Sequence, residues 1–440
     1  MSLAGAFLHT LAYLTAAILL AFSLRRVVLL LAACPRSLSW RGAAKGSAGT
    51  CLPSPTLPHS HTLSLLILIP CRNEAQSLPG LFAALDQLDY PRDQMRGVIV
   101  DDGSTDDTTS MALSLASSRS WVQVVSLTQN VGKAQALNQA LTPLPAGASP
   151  DEHYCRERGE GLGVGGEEEI LVIYDADHRP SSASLRALIA PLTDSNVAAV
   201  SGQMRVVNSR ASPAAFYTWV ESHVHQFITM RGKDRLNLAP ALLGANCAYR
   251  RSAFEAVGGF RPGALLEDSD LTLAFALAGW RTRFAPDSVS EHHAPTTLRG
   301  HVKQHLRWNR GFHQVMGGRL SALWASPILS LGLKVELTFF ALGYTDRLAL
   351  LAGALFTAID FLRPGTFGFP WWAWLIYFGI PALEMVAALV IAREPFGMFA
   401  RLIYVPFFFI LDIGIALWSS VLTIARWPFR WTMTERPQVS

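Results

Sequence analysis

Apolar and polar positions follow two regimes along this chain. Ala4–Leu24 is an almost unbroken apolar run with one histidine and no formal charge. At about 20 residues such a run is long enough to cross a hydrocarbon core as a helix. From Leu63 the pattern changes to short apolar runs between amphipathic stretches. Leu63–Ile69, Gly97–Val100, Val122–Leu127, the run opening at Ile170 and Val197–Gln203 are predicted strands, and a further one is predicted near Arg281–Ala285. Helices are predicted up to Leu88 and Ser117, through Ala136–Leu141, and over Ser182–Leu192, Ala214–Ile228 and Leu266–Ala278. Short continuous apolar runs suit strands buried on both faces. Their alternation with helices predicts an α/β domain with right-handed crossovers. From Leu320 the chain is apolar again, with candidate segments Ala325–Leu342, Leu348–Ile359, Trp371–Ile391 and Phe399–Ile424.

Composition sharpens this layout. The chain is 50% hydrophobic and 16% charged, against about 25% charged in soluble domains, and the apolar excess collects at the two ends. The resulting division is an N-terminal transmembrane helix (1–34), a Ser/Pro/Gly-rich linker (35–62), a soluble domain (63–312) with a flexible insertion at 143–169, interfacial and transmembrane helices (313–425) and a tail (426–440). Arg25, Arg26, Arg36, Arg41 and Lys45 follow the first apolar run, which places the N-terminus outside and the domain in the cytoplasm. Met1–Phe7 carries no Lys or Arg, as a signal peptide would, so a retained span is expected. Arg426, Arg430 and Arg436 favour a cytoplasmic C-terminus and an even number of crossings after the domain. Asp346-Arg347 splits the first two C-terminal candidates, and an interfacial helix fits there. Trp371, Trp372 and Trp374 suit an aromatic belt. A net charge of +4 with no basic stripe does not point to nucleic acid. Five cysteines without CxxC spacing give neither a disulfide framework nor a zinc site.

The candidate chemistry lies at strand ends. Ile170–Asp177 reads ILVIYDAD, and ligands of open α/β sheets sit at the carboxyl ends of strands. Asp175 and Asp177 there suit Mg2+ or Mn2+ bridging the phosphates of a nucleotide; alone, the pair also suits an Asx-rich turn. Asp101-Asp102-Gly103-Ser104 follows the second strand, Leu266-Glu267-Asp268 opens a helix, and Gln304-His305-Leu306-Arg307-Trp308 comes last. Gln304, Arg307 and Trp308, at i, i+3 and i+4, share one helix face. Gly161–Gly166 opens no helix and precedes three glutamates, so it is not a phosphate loop. His292, His293, His301 and His305 invite a zinc site, but Pro295 and its loop argue against tidy ligand geometry.

The ordered set of DDGS, DAD, ED and QxxRW between membrane segments resembles the membrane-embedded branch of glycosyltransferase family 2. That branch includes cellulose, hyaluronan, chitin-oligosaccharide and poly-N-acetylglucosamine synthases. The resemblance covers Leu63–Gly311 and the layout of the C-terminal helices. It implies a GT-A-type nucleotide-sugar-binding domain with a mixed, mainly parallel sheet between transmembrane helices. It also implies roles. Glu74 would sit beside the base, and Asp101 or Asp102 would accept from uracil and ribose. Lys133, in a GKAxALN-like stretch, would reach a phosphate, and Arg307 would pair with the diphosphate. Asp175 and Asp177 would hold Mg2+ or Mn2+. Asp268, beside Glu267, would be the base that deprotonates the acceptor, with Asn246, Gln304 and Trp308 at the acceptor. Cys71 replaces the family's usual small residue, and Leu266 its threonine. The implied activity is inverting, metal-dependent transfer from a UDP-sugar to a growing β-linked polysaccharide by a multi-pass cell-membrane protein. An accessory export subunit belongs among the implied partners. A membrane-lipid acceptor is the alternative, and a non-catalytic partner that binds nucleotide or glycan a more distant one.

Overall fold

The computed structural model describes residues 3–34, 63–142, 155–156 and 169–428. The expected linker, nearly all of the insertion at 143–169 and most of the tail lie outside the described residues. The chain forms two compact units. Among the described residues, one comprises 63–142, 155–156, 169–207 and Ala239–His293, and the other 3–34, Asn208–Leu238 and 294–428.

The first unit is built on a mixed sheet. Its strands are β1 (Leu65–Cys71), β2 (Met95–Asp101), β3 (Val122–Leu127), β4 (Cys155–Arg156), β5 (Ile170–Ile173), β6 (Arg179–Pro180), β7 (Val197–Val206), β8 (Cys247–Arg250) and β9 (Arg281–His292), in the order β4-β3-β2-β1-β5-β8-β7-β9-β6. The half from β4 to β5 is parallel, and β8 runs antiparallel to both β5 and β7. The alternation within β1 shows why the run LLILI is central. Leu65, Ile67 and Ile69 pack in one layer with Leu78, Leu81 and Phe82 of the Leu78–Leu85 helix. Leu66 and Leu68 pack in the other with Leu137, Leu271 and Phe275 from the Lys133–Leu141 and Glu267–Leu277 helices. With both faces covered, every residue of β1 must be apolar. In register, Cys71 lies beside Asp101 and Leu68 beside Ile173, so the strand ends that carry acids share one edge.

The second unit is helical. Three helices among the described residues are long and apolar enough to cross a membrane: Leu3–Ala33, Trp372–Ile391 and Gly397–Ile424. Leu331–Leu342 and Asp346–Leu362 pass that test together but bend by 72°, as a broken span or a re-entrant loop would. Leu375, Phe378, Val390, Phe407 and Ile410 face outward, as lipid contact requires. The expected segment Ala325–Leu342 is not one helix. Leu298–Ala325 is continuous, and the next helix starts at Leu331 after Pro327. Asn208–Leu238 and the residues from Ala294, expected within the soluble domain, pack in the helical unit instead. The expected Ala214–Ile228 helix runs as α-helix over Pro213–His223 and as π-helix over Val224–Met230. Its Tyr217 packs on Phe408, and its Ile228 on Leu30, Ala33 and Ala388. Apolar periodicity signals burial but does not name the burying partner.

Charged groups tie the N-terminal helix to the others. Arg25 makes a bidentate pair with Glu336 at 2.8 and 2.7 Å, and Lys233 Nζ lies 3.3 Å from the same carboxylate. Arg26 reaches Glu384 at 2.8 Å. Arg235 donates to the carbonyls of Ala32, Ala33 and Cys34, satisfying acceptors that a helix C-terminus leaves open. Gly232 lets the backbones touch, since a Cβ there would meet Leu29 O at 2.5 Å. Glu336→Ala leaves the buried Lys233 facing the partly exposed Arg25 without a counter-charge. It should cost about 3–5 kcal/mol, read as a lowered unfolding midpoint in detergent; an unchanged midpoint would contradict the pairing.

Candidate active site

The site is assembled from loops at the carboxyl ends of β1, β2 and β5 and from the start of the Glu267–Leu277 helix. After β1, Asn73 takes a left-handed turn at φ +53°, which Asn tolerates better than most residues. Its side-chain oxygen accepts from Thr105 N at 2.8 Å, its N–H donates to Ser104 Oγ at 3.0 Å, and Glu74 N donates to Thr108 Oγ1 at 2.8 Å. The first loop is thereby stapled to the loop after β2. Asp106 accepts from Thr108 N at 3.0 Å, a local turn contact.

Asp101 and Asp102 are both buried and both spend their oxygens on the fold. Asp101 accepts from Ser104 N at 3.1 Å, from Ser126 Oγ at 3.4 Å, and from the hydroxyls of Ser104 and Thr109. Asp102 accepts from Val131 N at 2.7 Å, Gly132 N at 2.9 Å and Asn130 Nδ2. Burial pushes the Asp102 carboxyl above its ordinary value, against the pull of those two N–H groups and Arg72. Gly132, at φ +90°, caps the Lys133–Leu141 helix. Asp102 thus fixes the turn that launches Lys133.

Lys133 is where the separate segments meet. Its ammonium donates to Asp175 Oδ1 and to Gly244 O, both at 2.8 Å, and lies 3.5 Å from Glu267 Oε1. Burial alone would lower it, but Asp175, Glu267 and Asp268 outweigh burial and raise it, so it stays charged. Asp268 accepts from Ser269 N at 2.6 Å. Glu267 and Asp268 stand in the first turn of their helix, where the macrodipole favours carboxylates. Gly244, at φ +76°, is required, because a Cβ there would lie 3.0 Å from Asp268 Oδ2.

Beside this hub, Asp175, Asp177 and His178 each offer a ligand atom, all within 4.8 Å of one another. His178 Nδ1 lies 3.0 Å from Ser290 Oγ, and its ring stacks on His292 at 5.2 Å. Two carboxylates fit Mg2+ or Mn2+, and the neighbouring imidazole, oriented by an outer hydroxyl, fits Mn2+ better. His178 was not among the expected site residues, although it follows the DAD run directly. Burial lowers the Arg179 guanidinium, only partly offset by Asp177 and Glu74.

Asn246, Gln304 and Trp308 make contacts of their own. Asn246 is fully buried at φ +50°, and its Nδ2 donates to Gln203 O at 3.0 Å and Ser288 O at 2.9 Å. The structure makes it a brace within the sheet. Gln304, Arg307 and Trp308 are on the Leu298–Ala325 helix of the helical unit. Gln304 Oε1 is buried without a hydrogen-bond partner, and Trp308 packs on His305 at 5.0 Å.

The family described as "Glycosyltransferase like family 2" matches residues 62–311. The chain belongs to that family and is a glycosyltransferase with a GT-A-type fold. It is 26% identical over 254 residues to "Probable glycosyltransferase YdaM" of Bacillus subtilis (strain 168), covering 57% of this chain and 55% of that protein. The chain therefore spans about half the length of this relative. It is also 26% identical over 342 residues to an "N-acetylglucosaminyltransferase" of Rhizobium meliloti (strain 1021), covering 74% of this chain and 71% of that one. Among solved structures it resembles the mannosyltransferase PcManGT from Pyrobaculum calidifontis in complex with GDP-Man and Mn2+. The TM-score is 0.57 at 22% identity over 88% of this chain and 98% of that one, a likeness of fold.

Lys133→Met removes the cation that favours ionised carboxylates at the hub. If a hub carboxylate is the reacting base, the acid limb of the rate–pH profile should then move to higher pH, because that base loses a neighbour that stabilises its charge. An acid limb that stays in place in this variant would mean the ammonium does not act on the base.

Proposed function

We propose that this chain transfers a sugar from a UDP-sugar of the N-acetylglucosamine class to the growing end of a β-linked polysaccharide at the cytoplasmic face of a cell membrane. The observation that carries the reading is the Lys133 hub, where Asp175, Glu267, Asp268 and Gly244 from three segments surround one ammonium. The relative named for N-acetylglucosaminyl transfer supports the donor class.

Each residue has a physical task in this reading. Asp268 takes the proton of the acceptor hydroxyl as that oxygen attacks the anomeric carbon on the face opposite the departing nucleotide, which inverts the centre. Its half-exposed position lets a hydroxyl approach. Glu267 and Lys133 hold the electrostatic balance around it. Asp175 and Asp177, with His178 beside them, would hold Mg2+ or Mn2+, whose chemistry is to neutralise charge on the diphosphate leaving group. Glu74 lines the base side of the cleft, and Asp101 and Asp102 shape it through their loops. Arg307 is assigned to a diphosphate and Gln304 and Trp308 to an acceptor sugar, on side-chain chemistry alone. If the bent helix pair is re-entrant, the two later spans return the C-terminus to the cytoplasm, the parity that the arginine distribution asks for.

A lipid acceptor is the second reading. An apolar cleft of about 690 Å³, lined by Leu350, Ala354, Phe361, Trp374, Phe378 and Ile413, would admit an acyl chain.

The purified chain in lipid, given labelled UDP-sugars and Mn2+, should release UDP and build a β-linked product too long to enter an organic phase. Label partitioning into that phase would favour the lipid acceptor, and no UDP release with any donor would defeat both readings. Asp268→Asn should lower turnover by a factor of about 10²–10⁴ while UDP binding persists; a variant with near-normal turnover would remove Asp268 from the role of base. Chelation should abolish transfer, and Mn2+ or Mg2+ restore it, with Asp177→Asn needing more metal for half-maximal rate. Full activity after exhaustive chelation would exclude the metal role.

A further inference from the structure

The helical unit holds a second cluster of ligand-type side chains that glycosyl transfer does not use. His301 and His305 stand four residues apart on the Leu298–Ala325 helix and so share a face. Their rings lie 3.9 Å apart, and both turn toward one oxygen of Asp412, from the Val405–Ile424 helix. His301 Nε2 is 3.1 Å from Asp412 Oδ1, and His305 Nδ1 is 3.2 Å from the same atom. All three residues are at most 1% exposed.

His301 Nε2 hydrogen-bonds to Asp412 Oδ1, but His305 is held differently. His305 Nδ1 and Nε2 lie 3.2 and 3.3 Å from carboxylate oxygens of Asp412 and Glu221, yet neither is aligned for a hydrogen bond. Glu221 Oε2 is likewise without a hydrogen-bond partner. Close but off-axis approach is what shared coordination produces. Ligand atoms each about 2.0–2.2 Å from one ion stand a little over 3 Å from each other, and neither points at the other. The surroundings complete such a site. Tyr217 OH donates to the other Asp412 oxygen at 2.7 Å. Glu221 faces the outer nitrogen of His305, the carboxylate–histidine–metal arrangement that orients a ligand ring. Arg347 pairs with Asp346 at 3.1 Å. Arg347 also faces Asp412, and Asp412 and Glu221 bring two carboxylates to the histidines, among which a divalent ion would sit.

We propose that His301, His305 and Asp412 bind a first-row transition-metal ion, with zinc the best match to two imidazoles and a carboxylate. The site is separate from the Asp175–Asp177 pair. Its role is positional: it locks the helix bearing Gln304, Arg307 and Trp308 to the Val405–Ile424 helix. The sequence expectation against zinc grouped these histidines with His292 and His293 across Pro295. The third ligand instead comes from a membrane helix far along the chain.

The test uses the full chain in detergent, with Asp175→Asn and Asp177→Asn introduced to disable the other acidic pair. The protein is stripped with chelator, loaded with zinc and desalted, and its metal is measured by mass spectrometry. One zinc ion per chain is expected, and Co2+ in its place should give the visible absorption of a low-symmetry nitrogen–oxygen site. His305→Gln and Asp412→Asn should each lose the metal and the cobalt spectrum. His301→Gln should weaken binding while the chain stays folded by circular dichroism. A background chain that binds no zinc overturns the assignment, and so does zinc retained at full stoichiometry by His305→Gln.

Discussion

A single half-buried cation holds the catalytic half together. The Lys133 ammonium faces Asp175 from the end of β5 and Glu267 and Asp268 from a helix start, and it donates to the carbonyl of Gly244. Without it, three carboxylates would crowd one partly desolvated space, and like charges in such a space push each other toward protonation. With it, they stand close around one counter-charge. Everything upstream serves its placement. Asp102 fixes the turn before Lys133, Gly132 permits that turn, and the small Ala134 and Ala136 let the helix settle on the sheet.

The same economy appears in the loops after β1 and β2. Asn73, Ser104, Thr105 and Thr108 bond across two loops whose strands are neighbours in register. A cleft built from loops gains rigidity when the loops bond to each other, and preorganised groups lose less entropy on binding.

Much of this architecture was legible in the residues. β1 and β5 are continuous apolar runs, as a strand covered on both faces must be, and β2, β3 and β7 carry shorter apolar runs within them. β6 escaped notice because two residues carry no period. The acids were legible as positions but less so as roles. Asp101 reads as a ligand at a strand end, yet its oxygens go to serine and threonine hydroxyls, which sequence spacing does not reveal. Asn246 misleads in the same way, since its motif places it near a site and only its burial shows a brace. The stretch from Asn208 to Leu238 has the amphipathic look of a domain helix, but its aromatic side chains meet membrane helices.

The pairing of Arg25 and Arg26 bears on how the protein is made. Their partners Glu336 and Glu384 lie 311 and 358 residues later in the chain. At translation rates of about 5–20 residues per second, the first helix waits on the order of 15–60 s before a counter-charge exists. Until then its two guanidiniums must stay in water or among lipid headgroups, so this helix can reach its final depth only after the C-terminal segments have left the ribosome.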